Sequence, residues 1–273
     1  MKFISFASSS KGNCKFMSHK DTNILIDCGI SRKRIVENLR LLNKTLDDID
    51  CIFITHSHTD HILGLPMILK DSNVKVASQR KTLESIVSYC ETKGTNIKTS
   101  NFKVLQPMNF EDTFSYININ DIKVIPLKGS HDVPSLYYKI ILGDKKVAIL
   151  TDMGAYTNYT INSLLDVDYL MLECNYDEQM LTDNVNYSLE LKNRIRSNNG
   201  HLSNVACSEM IMKLASGKIK EVYLSHISDE NNSEEYALEF VKKYLKDNYK
   251  DEYKLPKINI AKRVEKTIIY DDD

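Results

Sequence analysis

Short apolar runs closed by small or polar residues recur through most of the chain, and runs of four to eight residues predict strands buried on both faces. Residues 1–6, 23–26, 49–54, 74–77, 122–126, 168–172 and 220–224 read this way, the last being the final clear strand. Residues 137–142 and 145–150 predict a hairpin turning at Gly143-Asp144. Across 102–125 the pattern alternates enough to predict several antiparallel strands. Between these runs the spacing changes to the helical period. Residues 31–42 predict an amphipathic helix capped by Ser31, and further helices are expected from residue 62 and over 81–91, 187–196 and 233–246. Another is expected over 205–214, with Ser203 or Asn204 as cap. Residues 7–13, Ala-Ser-Ser-Ser-Lys-Gly-Asn, predict a turn after the first strand, and the acidic end Asp271-Asp272-Asp273 a frayed tail. Strand-rich halves with interleaved helices are α/β, and nothing repeats internally or resembles a long linker, so 1–273 is expected to form one domain.

Composition narrows the class without naming a chemistry. The 273 residues are 42% hydrophobic and 27% charged, an ordinary globular balance with ample chain for a core. Net charge is -1, so a polyanion would have to be held by local basic patches or by metal charge. Lys11, Lys15, Arg32, Lys33, Arg34, Arg194 and Arg196 are candidate phosphate contacts, each with a plain solvated alternative. No run approaches the ~18 apolar residues that span a bilayer, and the amino terminus lacks a signal peptide's apolar core. Six cysteines without Cys-x-x-Cys spacing are expected to be reduced thiols in a cytoplasmic protein.

The chemistry concentrates at Thr55-His56-Ser57-His58-Thr59-Asp60-His61. Three of the seven histidines and an aspartate lie within six residues, directly after a predicted strand. Neutral imidazole and carboxylate are ligands for Zn²⁺, Mn²⁺ or Fe²⁺. A tight loop there can aim His56 and His58 at one ion and Asp60 and His61 at a second. The remaining polar strand ends follow in order: Asp27-Cys28-Gly29, Ser130-His131-Asp132, Thr151-Asp152-Met153-Gly154, Glu173-Cys174-Asn175 and Ser225-His226-Ile227-Ser228, while Gly200-His201-Leu202-Ser203-Asn204 lies between two predicted helices, with His201 beside the start of the second.

His-x-His-x-Asp-His after a hydrophobic strand resembles the signature of the metallo-β-lactamase fold superfamily, and the later motifs resemble that family's series across almost the whole chain. The resemblance implies a four-layer αββα sandwich with two divalent ions, Zn²⁺ or Mn²⁺ or alternatively Fe²⁺, at one edge between two sheets. It implies His56, His58 and His131 on the first ion, Asp60, His61 and His226 on the second, and Asp152 bridging them. It casts Asp27 and Glu173 as supports of the ligands. His201 is implied to contact a scissile phosphate or protonate its leaving group, with Asp60 also positioning the nucleophile. Ser8, Ser10, Asn13, His201 and Ser203 are implied as substrate contacts; Ser9 stands where glycine is usual in the opening motif.

Such a site would carry about two net positive charges and bring a bridging water to hydroxide near neutral pH, which attacks phosphorus. The interval between Asp152 and His226 leaves no room for the inserted domain of β-CASP nucleases, and no Gly/Pro-rich arm of the transfer-RNA-processing type is present. The motif set is most similar to a bacterial YycJ/WalJ-like branch resembling double-strand DNA 5′-exonucleases. The expected function is therefore a metal-dependent phosphodiesterase, a 5′ to 3′ exonuclease on duplex DNA. Two alternatives stand beside it. One is a small-molecule hydrolase of a cyclic nucleotide, thioester or lactone on the same metals, and the other a non-catalytic regulatory metal-binding protein. Oligomeric state is not legible in the sequence.

Overall fold

The computed structural model describes residues 1–107, 116–248 and 255–272. In chain order its strands are β1 (Lys2–Ser9), β2 (Gly12–His19), β3 (Thr22–Ile26), β4 (Cys51–Phe53), β5 (Lys75–Ser78), β6 (Phe102–Val104), β7 (Ile117–Ile119), β8 (Ile122–Lys128), β9 (Leu136–Leu142), β10 (Lys145–Leu150), β11 (Tyr169–Glu173), β12 (Glu221–Ser225), β13 (Lys257–Ile260) and β14 (Thr267–Asp271). Helices are α1 (Arg32–Arg40), α2 (Thr59–Ile62), α3 (Leu65–Asp71), α4 (Arg80–Thr92), α5 (Asn158–Leu164), α6 (Glu178–Asp183), α7 (Leu189–Arg196), α8 (Asn204–Leu214) and α9 (Glu234–Asn248). The strands form two sheets, ordered β14-β1-β2-β3-β4-β5-β6 and β13-β12-β11-β10-β9-β8-β7.

Strand alternation sorts the buried apolar side chains of the central strands into three layers. From β3, β4 and β5, Ile24, Ile26, Cys51, Phe53 and Ala77 meet Val147 and Ile149 of β10, Met171 of β11 and Tyr223 of β12 between the sheets. Leu25, Ile52 and Val76 point the other way, onto Ile35 and Leu39 of α1, Ile68 of α3 and Ile86 of α4. On the far side Ala148, Leu150, Leu170, Leu172, Val222 and Leu224 pack on α5, α8 and α9. The result is the αββα sandwich, and it explains why these strands read as unbroken apolar runs: both faces are covered. Phe53 is fully buried, edge-on to Tyr138 with ring centroids 5.6 Å apart. Phe53→Ala should destabilise the fold by about 3–5 kcal/mol, read as a lower urea midpoint.

Several expectations are corrected. The opening segment is not a seven-residue loop: β1 and β2 form a tight hairpin paired from Lys2↔Ser18 to Ser9↔Gly12, leaving Ser10 and Lys11 at its tip. β2 was hidden because Asn13 and Lys15 interrupt its apolar pattern. β6 runs parallel to β5 and belongs to the first sheet, whereas β7 and β8 are an antiparallel pair in the second; residues 108–115 of that stretch lie outside the described residues. β13 and β14 follow the strand expected to be last. Asp271, expected in a frayed tail, ends β14 opposite Lys2 of β1, and the Lys2 ammonium lies 3.0 Å from its carboxylate; Asp273 lies outside the described residues. α5 and α6, capped by Thr157 and Asp177, were not anticipated. Among the described residues, no helix is long and apolar enough to cross a membrane.

β3, β4, β5 and β6 pair in parallel, as do β10, β11, β12 and β13. Parallel strands bring their carboxyl ends to one edge, where open α/β sheets place their sites. All the polar strand ends of the sequence meet at that edge.

Candidate metal centre

The backbone is bent sharply where the site residues emerge. Asp27 after β3, Asp152 after β10 and His226 after β12 have φ of 61°, 59° and 52°, in the left-handed region. Each such residue costs on the order of 1–3 kcal/mol unless its surroundings hold it, and here they do. The Asp27 N–H donates to Phe53 O at 2.8 Å, the His226 N–H to Ser8 Oγ at 3.2 Å, and Asn175 Nδ2 to His226 O at 2.8 Å. Next to Asp27, Cys28 N–H reaches His61 O and receives Gly64 N–H on its own carbonyl, both at 2.8 Å, strapping the metal loop to β3. A Cβ on Gly29 would lie 1.5 Å from the Asp60 carbonyl oxygen, so glycine alone allows that approach.

Side-chain partners then fix which ring nitrogen faces inward. His61 Nδ1–H donates to Asp27 at 2.9 Å. The Thr55 hydroxyl bonds Asp27 at 3.0 Å and sits 3.0 Å from His56 Nδ1. His226 Nδ1–H donates to Glu173 Oε1 at 2.8 Å, and His131 Nδ1–H to the Gly200 carbonyl at 3.2 Å. With Nδ1 occupied in all four rings, each Nε2 lone pair is left for a cation, the arrangement ligating histidines require. His58 is turned the other way, with Nε2 3.2 Å from Asp132 and Nδ1 3.3 Å from His131 Nε2.

The inward atoms form overlapping clusters. His56, His58 and His131 offer ligand atoms all within 4.8 Å of one another, as do Asp60, His61 and His226. Asp152 lies between the two groups, 3.0 Å from His61 Nε2, 3.6 Å from His226 Nε2 and 3.7 Å from His131 Nε2. His56 Nε2 and His226 Nε2 are buried without a hydrogen-bonding partner. Buried polar nitrogens are costly unless matched, and lone pairs converging on a carboxylate suit a divalent cation. The donor set therefore fits divalent metal: imidazole and carboxylate together, with no thiolate.

Electrostatics agree. Burial, then the neighbouring His61 imidazole, hold His56 well below the usual histidine value, keeping it neutral. Burial would also depress His61 and His226, but Asp27, Asp60 and Asp152 overcome it at His61, and Asp152, Asp60 and Glu173 raise His226 to about 10. Burial opposes ionisation of Asp152 too, yet His226, His61 and His56 hold its carboxyl well below the ordinary range. This is a cluster of anions and imidazoles asking for positive charge.

Glu173 is fully buried and shared. Its Oε1 accepts from both His226 and His201 at 2.8 Å, while Oε2 accepts Met153 N–H at 2.7 Å and Leu202 N–H at 3.1 Å. Burial resists its charge, but His201 and His226 prevail and bring it down to about 2. Burial likewise lowers His201, and Glu173 outweighs it, so the imidazole is held above its usual value. His201 lines the cleft beside the cluster together with Ser10, His58, Asp60, His131, Asp132, Asp152, Arg194 and His226.

The proposed substrate contacts divide. Ser10 and His201 face the cleft. Ser8 is fully buried beneath His226, Asn13 is fully buried against His61 and Asp60, and the Ser203 hydroxyl caps α8 by accepting Ala206 N–H at 3.2 Å. All three are buried and hydrogen-bonded within the fold, away from the cleft-lining surface that Ser10 and His201 share. Ser9 is an ordinary strand residue whose φ is not positive. Of the basic candidates, Lys15 is fully buried and unable to meet a substrate. Lys11 pairs with Asp229 at 2.6 Å, Arg32 with Asp71 at 3.4 Å, Lys33 with Glu37 at 4.0 Å and Arg196 with Glu178 at 2.9 Å, and Arg34 donates to the Val264 carbonyl at 3.0 Å. Arg194 reaches the cleft wall, 3.1 Å from Asp132. Thr55, Asp132 and Asn175 contact histidines of the cluster, a role the sequence reading had not given them. Thr55 and Asp132 flank histidines of the cluster and Asn175 closes the polar strand end Glu173-Cys174-Asn175, so each had a signal in the sequence.

Two sheets, a helix layer on each side and a histidine–aspartate cluster at the sheet edge define a metallo-hydrolase class, and the family comparison agrees. Residues 22–227 match the beta-lactamase superfamily domain, and the chain belongs to that superfamily. It is 31% identical over 237 residues to exodeoxyribonuclease WalJ of Streptococcus pneumoniae serotype 2 (strain D39 / NCTC 7466), spanning 86% of this chain and 85% of the relative. It is 27% identical over 238 residues to exodeoxyribonuclease YycJ of Bacillus anthracis, covering 87% and 86% of the two chains. Among solved structures, the metallo-beta-lactamase fold protein YhfI from Bacillus subtilis superposes with a TM-score of 0.69 at 15% identity, covering 98% of this chain and 99% of that one.

Proposed function

We propose that this chain is a metal-dependent phosphodiesterase that degrades DNA from an end, 5′ to 3′ on duplex. Residues 1–273 would act as one hydrolase domain, since both sheets contribute to the site. His56, His58 and His131 would hold one divalent ion, Asp60, His61 and His226 a second, and Asp152 would bridge them; Zn²⁺, Mn²⁺ and Fe²⁺ all suit these donors. Such a pair supplies Lewis acidity and a water acidified towards neutrality. The chain's own residues do the rest. Asp27, Thr55, Glu173 and Gly200 orient the imidazoles, and Asp60 would offer its carboxylate to position an attacking water. His201, held at Nδ1 by Glu173, lines the cleft where its ring can give a proton to a leaving alkoxide or clamp a phosphoryl oxygen.

The observation that carries this reading is the His201–Glu173 pair beside a full ligand set. A further cleft-facing imidazole, outside the seven proposed ligands and held by a buried carboxylate, has work to do on a poor leaving group such as a nucleoside alkoxide. The activity in the names of the WalJ and YycJ relatives supports the same substrate class. All six thiols are free and buried, which suits a reducing cytoplasm.

Metal-loaded protein is expected to release nucleotides from end-labelled, 5′-phosphorylated duplex DNA. EDTA should abolish the release, and added Mn²⁺ or Zn²⁺ should restore it. An intact duplex with every metal sinks the DNA assignment. One feature favours a second reading: Arg194 is the lone member of the basic candidates on the cleft wall, a sparse margin for a long polyanion. Turnover of bis-p-nitrophenyl phosphate without digestion of DNA would establish a small phosphodiester as the substrate instead.

A further inference from the structure

Lys15 is a fully buried lysine in the middle of β2, a position at which a lone ammonium is expensive. Alternation puts Asn13, Lys15 and Met17 on one face of the strand, and Met17 lies in the layer between the sheets. The register sets Lys15 opposite Ile26, the residue before Asp27. Its Nζ donates to Asn13 Oδ1 at 3.1 Å. On the other side of that amide, Asn13 Nδ2 donates to the Ser9 carbonyl at 2.8 Å and faces Asp60 Oδ2 at 3.3 Å and His61 Nε2 at 3.0 Å.

We propose that Lys15 is a positioning residue of the metal centre, pinning the Asn13 amide so that its nitrogen, never its oxygen, faces Asp60 and His61. Two constraints act together. A lysine at Oδ1 supplies hydrogens, and the Ser9 carbonyl at Nδ2 can only accept one. One Asn13 hydrogen is spent on Ser9. The other has two neighbours, and once a cation takes the His61 Nε2 lone pair, Asp60 is the acceptor left to it. A carboxylate oxygen carries two lone pairs, so Asp60 Oδ2 can face a cation and this amide at once. With the amide reversed, an oxygen would stand against the Asp60 carboxylate and push it out of place. Lys15 thus acts on the reaction through Asn13 and Asp60, touching neither substrate nor metal, a role usually worth about 10–100-fold.

The inference rests on the metal-hydrolase reading above, so its test has one arm that needs no turnover. In the metal-free protein, the Asn13 side-chain amide should exchange its hydrogens at least about tenfold faster in Lys15→Met than in the wild type. In the loaded protein at saturating metal, Lys15→Met and Asn13→Ala should each lower kcat on bis-p-nitrophenyl phosphate about 10–100-fold with little change in KM. The double variant should match Asn13→Ala, the signature of two residues acting in series. Should Lys15→Met fail to fold because Asn13 Oδ1 is orphaned, the double variant removes that orphan and is expected to fold with the activity of Asn13→Ala. Unchanged amide exchange and kcat in Lys15→Met, or losses that multiply in the double variant, overturn the proposal. A wild type that turns over no phosphodiester while the exchange difference persists overturns the functional reading and leaves this one standing.

Discussion

Asp152→Asn is expected to lose metal and, with it, essentially all turnover. The asparagine keeps the side chain's shape and tolerates the left-handed backbone at φ 59°, so the change isolates charge. In the native site Asp152 stands 3.0 Å from His61 Nε2 and within 3.7 Å of the inward nitrogens of His131 and His226. Among the described residues it is the one carboxylate that lies against both proposed ligand groups. Losing an outer partner of a ligand costs about 10–100-fold in metal affinity; losing the bridge itself should cost more. Elemental analysis after dialysis should find at least one equivalent of metal fewer than in the wild type, and activity should not return at millimolar metal. A variant that retains its full metal complement would remove Asp152 from the bridging position.

The second large effect separates metal binding from proton transfer. His201→Ala should keep its metal and lose about 10²–10⁴-fold in kcat on DNA, the range for a positioned acid or base. The reason is geometric: His201 Nδ1 is held by Glu173, which leaves Nε2 free on a cleft-lining ring, and no proposed ligand cluster depends on it alone. The leaving group supplies a control. A nucleoside alkoxide must be protonated as it departs, whereas p-nitrophenolate leaves as an anion. If His201 donates that proton, the loss on bis-p-nitrophenyl phosphate should be much smaller than on DNA. Equal losses on both would make His201 a phosphate clamp, and loss of metal from His201→Ala would make it a ligand.

How much of this was readable in advance differs by element. The strands 49–54, 145–150, 168–172 and 220–224 were legible because a strand covered on both faces must be apolar throughout. The ligand segment was legible because a strand end followed by His-x-His-x-Asp-His gathers four donors within six residues, although Asp60 and His61 lie on the short helix α2 and not on the expected loop. β2 was not legible, since its inward residues Asn13 and Lys15 are polar for reasons that lie at the metal site. β13 and β14 were missed because their partners, β12 and β1, are set by pairing with distant strands, the latter at the opposite end of the chain.

The sequence by itself determined the α/β class and the inventory of candidate metal donors, both of which follow from local pattern and residue chemistry, while the four-layer arrangement entered through the family resemblance. Only the tertiary structure decided how those donors are used. It placed Ser8, Asn13 and Ser203 among buried hydrogen bonds of the fold and showed that Glu173 serves His201 and His226 together. It also turned Lys15 from a candidate phosphate contact into a buried support. Side-chain direction and tautomer are set by partners from other strands, and those partners meet only when the two sheets close on one another.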